Sequence, residues 1–136
     1  MLLVSCSIEY WEFVRNLRLD VRVLSGFLNT NNIDPKQQLE YMKKYSDCYR
    51  IALLDGEPAG YVGVVENDIR VCTHPDYQGK GVGKFMINSA IEIWPKAEAK
   101  VKIGNEASSS LFLACGFVIS SNDNNFLYYK KIFCQT

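Results

Sequence analysis

Hydrophobic and polar positions in this chain fall into short β-branched runs and longer amphipathic ones. "LLVSC" at the start reads as a strand. "SIEYWEFVRNLRLDVRVLSGF" reads as helical, with Trp11, Val14, Leu17 and Leu24 along one stripe and Ser7 placed to cap it. Asp20 is positioned to start a second short helix after a kink, and "NTNN" is a turn. "DPKQQLEYMKKY" opens with Asp34 at the cap, Pro35 in the first turn and Gln37 three past the cap, which predicts a helix.

Three strand-like runs follow. "YRIALL" ends at "DGEP", "AGYVGVV" at "END", and "IRVCT" at Pro75, so tight turns predict an antiparallel meander. "VGKFMINSAIEIW" then carries Val82, Phe85, Met86, Ala90, Ile93 and Trp94 on one broad helical face, and Pro95 stops it. "AKVKI" is the next strand. A helix joins it to "IRVCT", so the two are expected as parallel neighbours. Asn105 caps a last helix, "EASSSLFLAC", that Gly116 ends. "FVIS" and "FLYYKKIF" close the chain as a hairpin around "SNDNN".

The 136 residues suit a single domain, 1–136, with a real core. Acidic and basic residues balance, 15 against 15, which argues against a general nucleic-acid binder and leaves only a local basic patch at Lys80 and Lys84. Cys6, Cys48, Cys72, Cys115 and Cys134 form no CxxC pair, and their odd number fits no closed disulfide framework. Reduced thiols in a cytoplasm are the plain expectation. His74 is the only histidine, so no metal site is expected. No run reaches membrane-span length, and "MLLVSCS" lacks the form of a signal peptide.

The candidate chemistry lies in "THPDYQGKGVGKFM". Glycine loops that lead into helices hold anions. A Walker A loop needs a glycine where Gln78 stands and a hydroxyl where Phe85 stands. A Rossmann loop needs GxGxxG in a βαβ unit, whereas Gly79, Gly81 and Gly83 are evenly spaced after a meander. What remains is Gln-x-x-Gly-x-Gly at Gln78, Gly81 and Gly83. That pattern suits a pyrophosphate bound by backbone N–H groups at a helix N-terminus.

"VCTHPDYQGKGVGKFM" and "NEASSSLFLACGF" together resemble the two signature blocks of the GNAT superfamily of acetyl-CoA-dependent N-acetyltransferases. In the second block Asn105, Ser108, Leu111, Phe112, Gly116 and Phe117 are in register. The resemblance implies an α/β (α+β) fold. Its central sheet would be mixed but mostly antiparallel, of about seven strands, with helices on both faces and a splayed parallel strand pair. It implies acetyl-CoA as co-substrate. Val71, Cys72 and Thr73 would bond the pantetheine arm through their backbone. Gln78, Gly79, Lys80, Gly81, Val82, Gly83 and Lys84 would hold the pyrophosphate. Asn105, Ser108 and Phe112 would border the cofactor. A thioester carbonyl gains negative charge as an amine attacks, and fixed backbone donors stabilise that charge.

A proton acceptor is also needed. Glu66 and Asp68 lie near the expected position, though "END" also reads as a polar turn. His74 reads as a structural strand-end residue and Cys115 as packing. Tyr10, Trp11 and Tyr128 are candidates for lining an acceptor pocket, with core packing as the alternative. Phe112 stands where many relatives carry a proton-donating Tyr, and "AKVKIG" lacks the Glu of the ribosomal-protein branch. The expected reaction is direct acetyl transfer to a primary amine, in a ternary complex, with a small molecule as acceptor. A protein N-terminus or lysine, or a non-catalytic CoA-binding module, are the alternatives. A homodimer is compatible with this reading; nucleic-acid and membrane partners are not expected.

Overall fold

The structure, a computed structural model, describes residues 1–20 and 34–133. Strands β1 (Leu2–Ser5), β2 (Tyr49–Leu54), β3 (Glu57–Val65), β4 (Asp68–Thr73), β5 (Glu98–Lys102), β6 (Phe117–Asn122) and β7 (Phe126–Lys131) form one sheet in the order β1-β2-β3-β4-β5-β7-β6. Helices α1 (Trp11–Leu19), α2 (Pro35–Tyr45), α3 (Val82–Ile93) and α4 (Glu106–Ala114) pack against it. Every strand pair is antiparallel except β4–β5, which is parallel.

Strand alternation separates two cores. Under α3 and α4 lie Ala52, Val62, Val64, Ile69, Ala99, Val101 and Tyr129. Under α1 and α2 lie Cys6, Tyr49, Ile51, Tyr61, Val65 and Cys72, met by Val14, Leu17 and Met42. The Asp34 carboxylate accepts from the Lys36 N–H at 2.8 Å with Pro35 beginning the helix, so the predicted cap is present.

The predicted Ser7 cap is not. A short 3₁₀ turn, Ile8–Tyr10, precedes α1, and the Ser7 hydroxyl donates to the Glu9 carboxylate at 3.0 Å. The nearby charged acceptor takes the hydroxyl away from backbone duty. The predicted face of α3 is also shifted. Ile87 and Ile91 are buried while Ile93, the last helical residue, is 43% exposed. Because α3 is covered by α4 as well as by the sheet, its buried arc is wider than one stripe. Leu24, the "NTNN" turn, the second short helix expected after Asp20, and Cys134 fall beyond the described residues.

Candidate active site

The pair β4–β5 separates almost as soon as it forms. Asp68 pairs with Glu98, and the Glu98 N–H donates to the Asn67 carbonyl at 2.7 Å. Among the described residues no further β4–β5 pairing follows. On its other edge β4 stays in register with β3 through Gly60↔Thr73. Val71, Cys72 and Thr73 therefore turn one row of backbone groups toward an open split instead of a ladder.

The glycine loop lies at the other, open end of this split, beyond Thr73. Gly79 and Gly81 have φ of +80° and +82°, and a side chain there would meet almost nothing, so backbone conformation is what demands glycine. At Gly83 the reason is space. A β-carbon would lie 2.8 Å from the Leu111 side chain and 3.3 Å from the Thr73 hydroxyl. The first turn of α3 thus sits directly on the end of β4 and on α4. Gly81 is the N-cap without a side-chain partner, so the first N–H groups of α3 face outward, flanked by exposed Lys80 and Lys84. Gln78 is exposed beside them, and Val82 is buried in the core. Such an N-terminus can hold an anion.

On α4, the Asn105 side chain accepts from the Ser108 N–H at 3.2 Å, which fixes the helix start. Phe112 is buried, packed edge-on against Phe117 and stacked on Tyr129 at ring-centre distances of 5.2 and 6.1 Å. A hydroxyl on that ring would enter an apolar cluster, which accounts for Phe at this position.

The carboxylate candidates part company. Glu66 and Asn67 have φ of +53° and +65°, so Glu66 is exposed at the tip of the β3–β4 hairpin. Asp68 stands at the closed end of the split, 3.6 Å from the Arg70 guanidinium. Burial raises its carboxyl above the usual carboxylate range, against the opposing pull of Arg70 and Lys100.

His74 has a local task. Its Nδ1 accepts from the Asp76 N–H at 3.1 Å and its ring stacks on Phe13. It borders a hollow of about 420 Å³ between α1 and the end of β4, lined also by Asp20, Glu57, Asp76 and Tyr77. Burial pushes the Cys72 thiol up to about 12, and Cys115 is buried too. Neither is an activated nucleophile. Tyr10 and Trp11 pack into the α1 core, with the indole N–H donating to the Cys6 carbonyl at 3.0 Å. Tyr128 lies on β7, two strands from β4, its hydroxyl donating to Asp123 at 2.8 Å.

Sequence reasoning assigned no role to Arg70 or Lys100. Arg70 donates to the Tyr41 hydroxyl at 2.9 Å, and Lys100 lies over the rings of Phe126 and Tyr128. The signal was present: alternation in "DIRVCT" and "EAKVK" places both on one face once the strands are taken as parallel neighbours. Among the described residues no cluster of three or more His, Cys, Asp or Glu is arranged for a metal ion, and no helix is long and apolar enough to cross a membrane.

The acetyltransferase (GNAT) family matches residues 11–117, and the chain belongs to that family. No curated protein matches the sequence significantly. Among solved structures, it is similar to ribosomal-protein-alanine N-acetyltransferase from Brucella melitensis, with a TM-score of 0.81 and 16% identity over 98% of this chain and 100% of that one. It is also similar to spermidine N-acetyltransferase from Vibrio cholerae in complex with CoA and spermine, at 0.77 and 18% over 94% and 92%. A third is yncA from Salmonella typhimurium with its cofactor acetyl-CoA, at 0.77 and 14% over 94% and 91%. The seven-stranded mixed sheet with its parallel β4–β5 pair is the fold shared with these structures.

Proposed function

We propose that this GNAT-family chain transfers an acetyl group from acetyl-CoA to a primary amine of a small molecule, by direct attack in a ternary complex. The observation that carries the reading is the split between β4 and β5, which opens from the Asp68–Glu98 pair toward the glycine loop and the N-terminus of α3. The outward N–H groups of Gly79–Lys84, with Lys80 and Lys84, suit the pyrophosphate of CoA. The free backbone edge of Val71–Thr73 suits the pantetheine amides and the thioester oxygen. Gln78, Asn105 and Ser108 would border the same cofactor, with Phe112 supporting α4 from the core.

The amine nitrogen adds to the thioester carbonyl carbon, a C–N bond forms and the C–S bond breaks. The nitrogen gives one proton to a base, which returns it to solvent, and the CoA sulfur leaves as thiolate and takes one proton from water. We assign the proton-accepting role to Asp68 in preference to Glu66. Asp68 is half-buried at the split with a raised carboxyl, while Glu66 points from a hairpin tip.

The test is CoA-thiol release from acetyl-CoA with a panel of small amines and with peptides bearing free N-termini or lysines, beside calorimetric binding of acetyl-CoA. Release with small amines supports the reading. Release only with peptides assigns a protein acceptor, and binding without any release assigns a sensor. Propionyl- and succinyl-CoA in the same assay define the acyl group.

A further inference from the structure

Across the split from α3 and α4, the two separating strands present charge. Ile69, Ala99 and Val101 point into the core under those helices, so Asp68, Arg70 and Cys72 from β4, and Glu98, Lys100 and Lys102 from β5, point the other way. Asp68 pairs with Glu98, so Arg70 and Lys100 each stand two residues beyond that pair on their own strands. Asp68 and Glu98 stand at the paired end, with the Arg70 guanidinium 3.6 Å from the Asp68 carboxylate.

Both cations are held in place. Arg70 is anchored by the Tyr41 hydroxyl at 2.9 Å while its side chain keeps 43% exposure. Lys100 lies 4.2 Å over the Phe126 ring and 5.9 Å from that of Tyr128. Side chains already fixed lose little freedom when they bind.

We propose that Arg70 and Lys100 receive an anionic group of the acceptor, so that the substrate is a primary amine that also carries a carboxylate, not a polyamine. This rests on the acetyl-transfer reading above, and it names the acceptor class for that site. A second ammonium would meet like charge at this opening, whereas a carboxylate is drawn in with charge-assisted hydrogen bonds. The same cations favour the neutral form of the reacting amine, which is the nucleophile. The hollow beside His74, with Asp20, Glu57 and Asp76 around it, has the opposite character, and it lies against α1 and β3 instead of in the split.

The experiment compares amino acids with the decarboxylated amine of each, and with diamines of equal chain length, as acceptors for the intact protein. Lys100→Gln, Lys100→Glu and Arg70→Gln are run beside it, each checked by its unfolding curve. Amino acids are expected as the better acceptors. Lys100→Gln is expected to raise their KM roughly ten- to a hundredfold with the KM for acetyl-CoA unchanged. Lys100→Glu is expected to move preference toward the diamines. Wild-type preference for diamines, or a ranking unmoved in Lys100→Glu, overturns the anionic-acceptor proposal and leaves acetyl transfer standing. CoA release with no amine at all, despite acetyl-CoA binding, overturns the transfer reading itself and this proposal with it.

Discussion

The Arg70 guanidinium donates to the Tyr41 hydroxyl at 2.9 Å, joining β4 to α2 beside the split. The same hydroxyl lies 2.7 Å from that of Tyr49, which is buried at 3% exposure. Tyr41→Phe removes the partner of both groups at once. It is expected to lower stability by about 1–3 kcal/mol in urea unfolding, because a buried hydroxyl loses its hydrogen bond. Adding Tyr49→Phe should cost less than it does in the wild type, since the two changes share one bond. Strict additivity would show that the hydroxyls do not interact.

Alkaline pH should weaken the fold. Burial pushes the Cys6 thiol to about 11 and the Cys72 thiol to about 12, and raises the Tyr49 and Tyr61 phenols. Below the ordinary thiol range, about 8.5, folded and unfolded chains are equally protonated and stability is complete. Above it the unfolded chain releases protons first, so stability falls as pH rises toward the folded values. The urea midpoint should therefore decline from about pH 8.5 upward. A flat midpoint to about pH 11 would contradict the burial of these groups.

Asp68 titrates with the same sign but in acid. Its carboxyl is raised chiefly by burial, so its favourable contribution exists below the ordinary carboxylate range and is lost as pH rises through the folded value. At neutral pH the charged group is a net cost. Asp68→Asn should be as stable as wild type or more so at neutral pH, with the difference vanishing near about pH 3. Turnover should fall by about 10²–10⁴-fold, whereas Glu66→Gln should stay near wild type. Unfolding curves and CoA-release rates measured on the same preparations check both halves.

Gly81→Asp places a carboxylate at the N-cap of α3, where Asp tolerates the left-handed backbone better than most residues. Affinity for acetyl-CoA is expected to fall by about tenfold or more, with circular dichroism unchanged. Lys80→Ala and Lys84→Ala should each cost less, about 0.3–1 kcal/mol, because the helix N-terminus remains. Calorimetry ranks the three; lysine variants weaker than Gly81→Asp would shift the anion site from backbone to side chains.

Gln38, on α2, is 3% exposed, and neither polar atom of its amide finds a hydrogen-bond partner among the described residues. Gln38→Met keeps the volume and removes the desolvation penalty. It should raise stability by about 1–3 kcal/mol, read as a higher urea midpoint at an unchanged slope. A lower midpoint would reveal a partner for the amide.

Much of this molecule is legible from local signals. Period-two and helical runs, the Asp34 and Asn105 caps and the turns at "DGEP" and "END" are settled within a few residues, so β2, α2 and α4 lie close to where the pattern places them. The resemblance to GNAT proteins rests on such local text: glycine spacing is dictated by backbone conformation at Gly79 and Gly81. At Gly83 the demand comes instead from Leu111 and Thr73, which no local pattern announces. Tertiary structure also decided that Phe112 turns into the core, that His74 caps its own loop, and that Asp68 rather than Glu66 stands at the split. Above all it put Arg70 and Lys100 on one face of neighbouring strands, two residues beyond the same pair. Those residues are separated by a helix and a loop, and their placement depends on one parallel pairing, Asp68 with Glu98. Local sequence encodes what a segment can bond within itself; which side chains share a cleft follows only when distant strands choose a register, because that choice is made by the packing of both cores together.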